Sequence, residues 1–202
     1  MINKLSTKNT LSESNLKNDS SNEQEGPLQI AVVELPTQAL LGITACPGRN
    51  HTDDFGRIWQ RDLKQDIAGI INWGADSILT LVETDEFERL GVPRIAEYIR
   101  AEGLNWYHMP IPNMEVPGEE FNVAWAKDGD TILQSLNSGG RLIIHCAAGL
   151  GRSGMVAAKI LSTYSDNPQS AISTVRKVRP GAIETEQQEN YILSGSSLIE
   201  FE

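Results

Sequence analysis

Cysteine and histidine are scarce in this chain, two of the first and three of the second among 202 residues. Cys46 and Cys146 stand a hundred positions apart, which makes at most one disulfide and no zinc-binding spacing. So few thiols suit a reducing compartment, and a cytoplasmic location is expected. No stretch of about 18 apolar residues occurs, so no membrane-spanning helix is expected. Lys4 and Lys8 are not followed by the apolar segment of a secretory leader. Positive charge is also in short supply: 17 Lys and Arg against 27 Asp and Glu give a formal net charge of -10. That balance repels a nucleic-acid backbone and an anionic membrane, so neither is expected as a partner. Any anion this chain binds must be captured by a local arrangement.

The first 26 residues, MINKLSTKNTLSESNLKNDSSNEQEG, contain no aromatic residue and are rich in Ser, Asn, Lys and Glu. They offer too little apolar surface to offset the entropy of ordering, and are expected to form a flexible tail. From Pro27 onward strand-like and helix-like segments alternate. Leu28 to Leu35 and Ala39 to Thr44 are read as strands, followed by a polar loop, CPGRNHTDDFG. Ile58, Leu63, Ile67, Ile70 and Ile71 recur at helical spacing up to Trp73-Gly74, where glycine suits a C-cap. Ser77 to Val82 and Leu104 to Met109 read as strands, with short helices at ETDEFERL and after Pro93 between them. Residues 119 to 136 read as a helix and Arg141 to His145 as a short apolar strand. Helices near Ser153, from Pro168 and from about Thr185 complete the chain. Interleaved strands and helices predict an α/β fold, a central mostly parallel sheet with helices on both faces.

The most informative stretch is RLIIHCAAGLGRSGMVAAKIL, residues 141–161. A strand ending at His145, a loop of small residues and a helix starting near Ser153 aim several backbone N–H groups into one hollow. Such a nest, with the positive end of a helix beside it, binds an anion. Ala147, Ala148, Gly149 and Gly151 keep bulk away from a ligand approaching the main chain, while Leu150 is expected to point away. Arg152 supplies a planar fork matched to two phosphate oxygens. Cys146 lies at the base of the cup. Thiolates near helix N-termini and cations have pKa values of roughly 3.5–7.5 rather than about 8.5. A shift of about three units corresponds to roughly 4 kcal/mol in favour of the anion. Cys146 is therefore expected to be a ready nucleophile facing a bound phosphate, with no metal and no cofactor called for. An inert core cysteine with a surface arginine is the plainer alternative, and it leaves the glycine pattern unexplained.

The motif HCAAGLGRSG, a Cys-x5-Arg-Ser preceded by His, resembles the phosphate-binding loop of the cysteine-dependent protein tyrosine and dual-specificity phosphatases. The likeness extends from about Gly42 to Ile192. CPGR, RDLKQDI, GADSILTLVETDEF, VPRI and YHMPIPN are similar in order and spacing to the kinase-associated phosphatases of the cyclin-dependent kinase inhibitor 3 type. RPGAIETEQQENYI resembles that family's glutamine segment. The resemblance implies a single-domain phosphatase fold over residues 27–202 and a phosphorylated protein or peptide as substrate. It also implies hydrolysis through a cysteinyl-phosphate on Cys146, with Arg152 and the loop from Ala147 to Gly151 holding the phosphoryl oxygens. Ser153 then stabilises the departing thiolate, Gln188 orients the water of the second step, and His145 supports the loop. Absence of lysine within the loop argues against polyphosphorylated inositol lipids. A shallow cleft that admits phosphoserine, phosphothreonine and phosphotyrosine is expected. Sulfur transfer and arsenate reduction also use a cysteine in an anion cup, but leave the glutamine segment without a purpose.

One position departs from the family. The acid that protonates the leaving oxygen is an aspartate in Pro-Ile-x-Asp, and this chain has Asn113 there. Asparagine donates no acid proton, and a positioned acid contributes about 10²- to 10⁴-fold in rate. Three readings stay open: a substitute acid, Glu115 first and Glu119 or Glu120 next; a slow enzyme best suited to aryl phosphates; or a catalytically weak module that binds phosphoproteins. Each of those glutamates is also read as a solvated loop or helix-start charge. Cys46 is read either as a core cysteine or as a disulfide partner of Cys146. His51, Asp53 and Asp54 make a solvated turn rather than a metal site, and Trp59, Trp73, Trp106 and Trp125 are core or interface anchors. Asn113→Asp is expected to raise turnover of a phosphothreonine peptide, and an unchanged rate in that assay would show that position 113 is not where the acid belongs.

Overall fold

The computed structural model describes residues 22–165 and 167–194. The predicted tail therefore lies mostly outside the described residues. Its last part does not: Asn22–Glu25 form one helical turn (α1), and the Gly26 carbonyl accepts a hydrogen bond from Arg61 Nη2 at 3.1 Å.

A five-stranded sheet carries the fold. Its strands are β1 (Ala31–Glu34), β2 (Leu40–Thr44), β5 (Ser77–Thr80), β6 (Asn105–His108) and β7 (Arg141–His145), in the order β1-β2-β7-β5-β6. The four from β2 to β6 run parallel and only β1 is antiparallel, so the expected mostly parallel sheet is found. β7 is central. Leu142, Ile143, Ile144 and His145 are all buried, which requires cover on both faces of that strand. The cover includes α5 (Glu119–Asn137) and α6 (Gly151–Ser162), both packed against β7. Helices α7 (Pro168–Val178) and α8 (Glu186–Leu193) pack on α6 in turn. Two shorter helices, α3 (Glu86–Arg89) and α4 (Ile95–Ala101), lie between β5 and β6 in the chain.

The polar loop after β2 differs from expectation. Residues Asn50–Thr52 (β3) and Ile58–Gln60 (β4) pair as an antiparallel hairpin, so Ile58 belongs to a strand and the following helix, α2, starts only at Leu63 and runs to Trp73. Asp53 makes the turn: its Oδ1 accepts from the N–H of Phe55 and of Arg57, each at 3.0 Å, and Gly56 takes a positive φ of 76°. Helical periodicity was a false signal at Ile58 because one apolar residue fits either period when it lies at an element's edge. The C-cap at Gly74 is as expected, left-handed at φ 88°.

The strand-to-helix connection after β7 depends on one glycine. Gly149 has φ 71°, and a methyl group added there would lie 2.5 Å from the Thr44 carbonyl oxygen and 2.6 Å from the Ala45 nitrogen. Both obstacles are backbone of β2 and its extension, which cannot swing aside. Gly149→Ala is expected to destabilise the protein by about 2–4 kcal/mol, combining a left-handed residue with overpacking; the urea unfolding midpoint measures it.

Candidate active site

Three carbonyls in a row after Cys146 are pulled to the outside of the loop. Arg49 Nη1 donates to Ala147 O at 3.2 Å, while Arg179 donates to Ala148 O through Nη2 at 3.1 Å and to Gly149 O through Nε at 3.0 Å. In a trans peptide the next residue's N–H points opposite to the carbonyl. The N–H groups of Ala148, Gly149 and Leu150 are thereby turned into the hollow, the arrangement that makes an anion nest. Neither arginine was singled out from the sequence, although Arg179 opens the RPG of the glutamine segment.

Arg152, on the first turn of α6, is 2% exposed and is held by a bidentate pair with Glu86, itself 1% exposed. Nη1 lies 2.5 Å from Glu86 Oε2 and Nη2 3.1 Å from Oε1, and Nη1 also donates to Ile111 O at 3.0 Å. Sequence reasoning missed Glu86 as a partner, taking ETDEFERL only for an acidic helix start. Its signal was long range, 66 positions away. Burial pushes the Glu86 carboxyl up, but the hydrogen bond and charge of Arg152, the Glu83 N–H and the charge of Arg89 outweigh it and hold it below the ordinary carboxylate range.

Cys146 is buried at the base of the cup, with Sγ 3.4 Å from Ser153 Oγ. Burial raises its pKa, yet the Arg152 charge, the Ser153 hydroxyl and the N–H groups of Ser153 and Leu150 win, and the thiol lies below its ordinary value. Cys46 contrasts with it: burial dominates there and drives the pKa far up. Both cysteines are free, and Cys46 N–H donates to Ala147 O at 3.2 Å. His145, pushed down to about 4 by burial, is a neutral strut. Its Nδ1 faces Cys146 O at 3.2 Å and its Nε2 faces Thr80 Oγ1 at 2.8 Å, while Trp106 Nε1 donates to that hydroxyl at 2.9 Å. A carbonyl only accepts, so Nδ1 carries the proton and the Thr80 O–H donates to Nε2.

A cleft of about 600 Å³ opens over Cys146, with Ala147, Ala148 and Arg152 in its wall and Asn113 at its edge. Leu150, half-buried, also belongs to its wall. Gln188 is fully buried on α8. Its Oε1 accepts from Glu184 N–H at 3.0 Å and its Nε2 donates to Glu115 O at 3.3 Å. Glu115, Glu119 and Glu120 are exposed and none lines this cleft, so the structure does not bring the expected substitute acids to Cys146. The β3–β4 hairpin supplies the opposite wall, including Trp59, whose ring lies 3.9 Å from the Arg49 guanidinium carbon. Asp53 is locked by the Trp59 Nε1–H and by Arg57, and among the described residues no group of His, Cys, Asp and Glu is arranged to hold a metal ion.

The family model for cyclin-dependent kinase inhibitor 3 matches residues 5–172. The chain belongs to that family. It is 29% identical to cyclin-dependent kinase inhibitor 3 of Rattus norvegicus over 85% of this chain and 80% of the relative. The Mus musculus protein of the same name is 30% identical over 84% and 79%. Among solved structures, a kinase associated phosphatase whose catalytic site cysteine was substituted by serine superposes with a TM-score of 0.71 at 27% identity, covering 82% of this chain and 92% of that one. Tk-PTP in its active form, at 24% identity and a TM-score of 0.57 over 76% of this chain and 88% of that one, shares the fold. The fold and family are those of cysteine-dependent phosphatases of the protein tyrosine and dual-specificity type.

Removing one partner of a buried ion pair leaves the other charge uncompensated. Glu86→Gln is expected to cost about 3–5 kcal/mol of stability, read from urea unfolding. Because the folded carboxyl is depressed, its contribution is complete above the ordinary carboxylate range and is lost as pH falls through the folded value. The gap between wild type and variant should therefore narrow on acidification.

Proposed function

We propose that the protein hydrolyses phosphomonoesters on proteins, phosphotyrosine and phosphoserine or phosphothreonine alike, through a cysteinyl-phosphate on Cys146. The observation that carries this reading is a buried thiol, 3.4 Å from the Ser153 hydroxyl, at the base of a cup whose amides face inward, beside a guanidinium immobilised by Glu86. In the first step the Cys146 sulfur attacks phosphorus in line while the Arg152 fork and the amides from Ala147 to Arg152 hold the equatorial oxygens. Ser153 donates to the thiolate as it leaves in the second step, when water attacks the phosphoenzyme near Gln188. The positive charge needed is built into the loop, so the reaction calls for no metal.

Residues 27–202 are the catalytic domain in this reading, and the protein acts in the cytoplasm, where both thiols stay reduced. Among the described residues no helix is long and apolar enough to cross a membrane. The relatives' name makes a phosphorylated cyclin-dependent kinase the first substrate to test. Asn113 at the cleft's edge favours a second reading, a weak phosphatase that mainly binds phosphoproteins.

Phosphate release from an aryl phosphate and from a phosphothreonine peptide separates the two. Release that is insensitive to a chelator and abolished by Cys146→Ser is expected. Tight binding of the peptide by wild type without release from either compound would establish the binding module instead.

A further inference from the structure

Four carboxylates line the cleft over Cys146: Asp53, Asp54, Glu86 and Glu184. Two are committed to structure. Glu86 holds Arg152 and also bonds the Glu83 N–H and Arg89. Asp53 accepts from the N–H of Phe55 and Arg57, from Arg57 Nε and from Trp59 Nε1. A carboxylate saturated with donors has no lone pair to offer and gives up its ionised form with difficulty. Asp54 and Glu184 make no side-chain hydrogen bond or ion pair among the described residues.

Of these two, Glu184 is aimed. A methyl group added to Gly151, the first residue of α6, would lie 2.6 Å from Glu184 Oε2 and 3.1 Å from both Gln188 Nε2 and Oε1. The Glu184 carboxylate thus reaches the residue next to Arg152, and Gly151 has no side chain to keep it off. Its backbone is pinned by its own N–H to Gln188 Oε1. The residue before it, Ile183, has φ 63°, a left-handed conformation that a β-branched side chain adopts only under constraint. Two contacts impose it: Ile183 N–H donates to Leu150 O at 3.4 Å, and Arg176 Nη2 donates to Ile183 O at 3.1 Å. Strain of this kind persists only where the surrounding structure over-determines it, and it clusters at active sites. Asp54 sits on the tip of the hairpin, with no comparable anchoring.

Position decides the role. Cys146 is 3% exposed, so an attack from that buried sulfur drives the leaving oxygen toward the open side of the cleft, where Glu184 is exposed. Resting on the phosphatase reading above, we propose that Glu184 is the proton carrier of this active site, in place of an acid at position 113. In the first step the S–P bond forms and the P–O bond to the substrate breaks, and protonated Glu184 gives its proton to the departing oxygen, which leaves as an alcohol or phenol. In the second step water enters where that oxygen left. The Glu184 carboxylate takes a proton from the water, the new P–O bond forms, and the S–P bond breaks. Inorganic phosphate, the Cys146 thiolate and protonated Glu184 result.

The test compares wild type, Glu184→Gln and Asp54→Asn on a phosphothreonine peptide and on 4-nitrophenyl phosphate, each across pH. Glu184→Gln is expected to lower kcat/KM on the peptide by about 10²- to 10⁴-fold and to remove the alkaline limb of its pH profile. The loss on the aryl ester should be smaller, because nitrophenolate leaves without a proton. Slow second-step chemistry should appear as a burst of nitrophenolate and a trapped phosphocysteine. Glu184→Asp, shorter but still an acid, should keep the alkaline limb at a reduced rate. Equal losses on both substrates with the limb retained would mark a structural side chain and overturn the proposal, as would loss of the limb in Asp54→Asn instead. An active wild type with an unaltered Glu184→Gln sinks this assignment alone. A wild type that releases no phosphate from either substrate sinks the phosphatase reading and this one together.

Discussion

One buried guanidinium organises this molecule's chemistry. Arg152 brings a full positive charge to the N-terminus of α6, and the cost of taking it out of water is offset by the carboxylate of Glu86 and the Ile111 carbonyl. The pair fixes the fork in one plane, so the guanidinium keeps little rotamer freedom. It also ties together three distant stretches that follow β5, β6 and β7 in turn: α3, the segment at Ile111 and the first turn of α6. The sheet order β7-β5-β6 places those three C-terminal strand ends side by side, which is where ligands bind in open parallel sheets.

The lowered pKa of Cys146 is a second consequence of that charge. Cys146 and Cys46 are both buried, and burial alone raises both. Arg152, Ser153 and the loop amides outweigh burial at Cys146, while burial dominates at Cys46, so the two buried cysteines shift in opposite directions. What separates the two sulfurs is the Arg152 charge and the hydrogen bonds made to Cys146, not exposure.

Much of this was legible along the chain. The strand Arg141–His145, the glycines of the loop and the C-cap at Gly74 each follow from local rules that a short window contains. A substitute for the family's acid was not legible. The resemblance puts that acid at Asn113, and the search for a replacement turned to Glu115, Glu119 and Glu120 because they are near it in sequence. The cleft draws instead on residues brought by the β3–β4 hairpin and by the segment before α8, which no periodicity connects to Cys146. Glu86, Arg49 and Arg179 were missed for the same reason, since each acts on a backbone or side-chain atom at least 30 positions away.

The indole of Trp59 lies in the wall of the cleft with the Arg49 guanidinium over its ring, and Arg49 in turn grips the carbonyl of Ala147. An aromatic chromophore is thereby linked, through a single guanidinium, to the loop that follows Cys146. Any shift of Arg49 alters the electric field across that indole, so the emission of Trp59 is a natural reporter on the backbone of this loop.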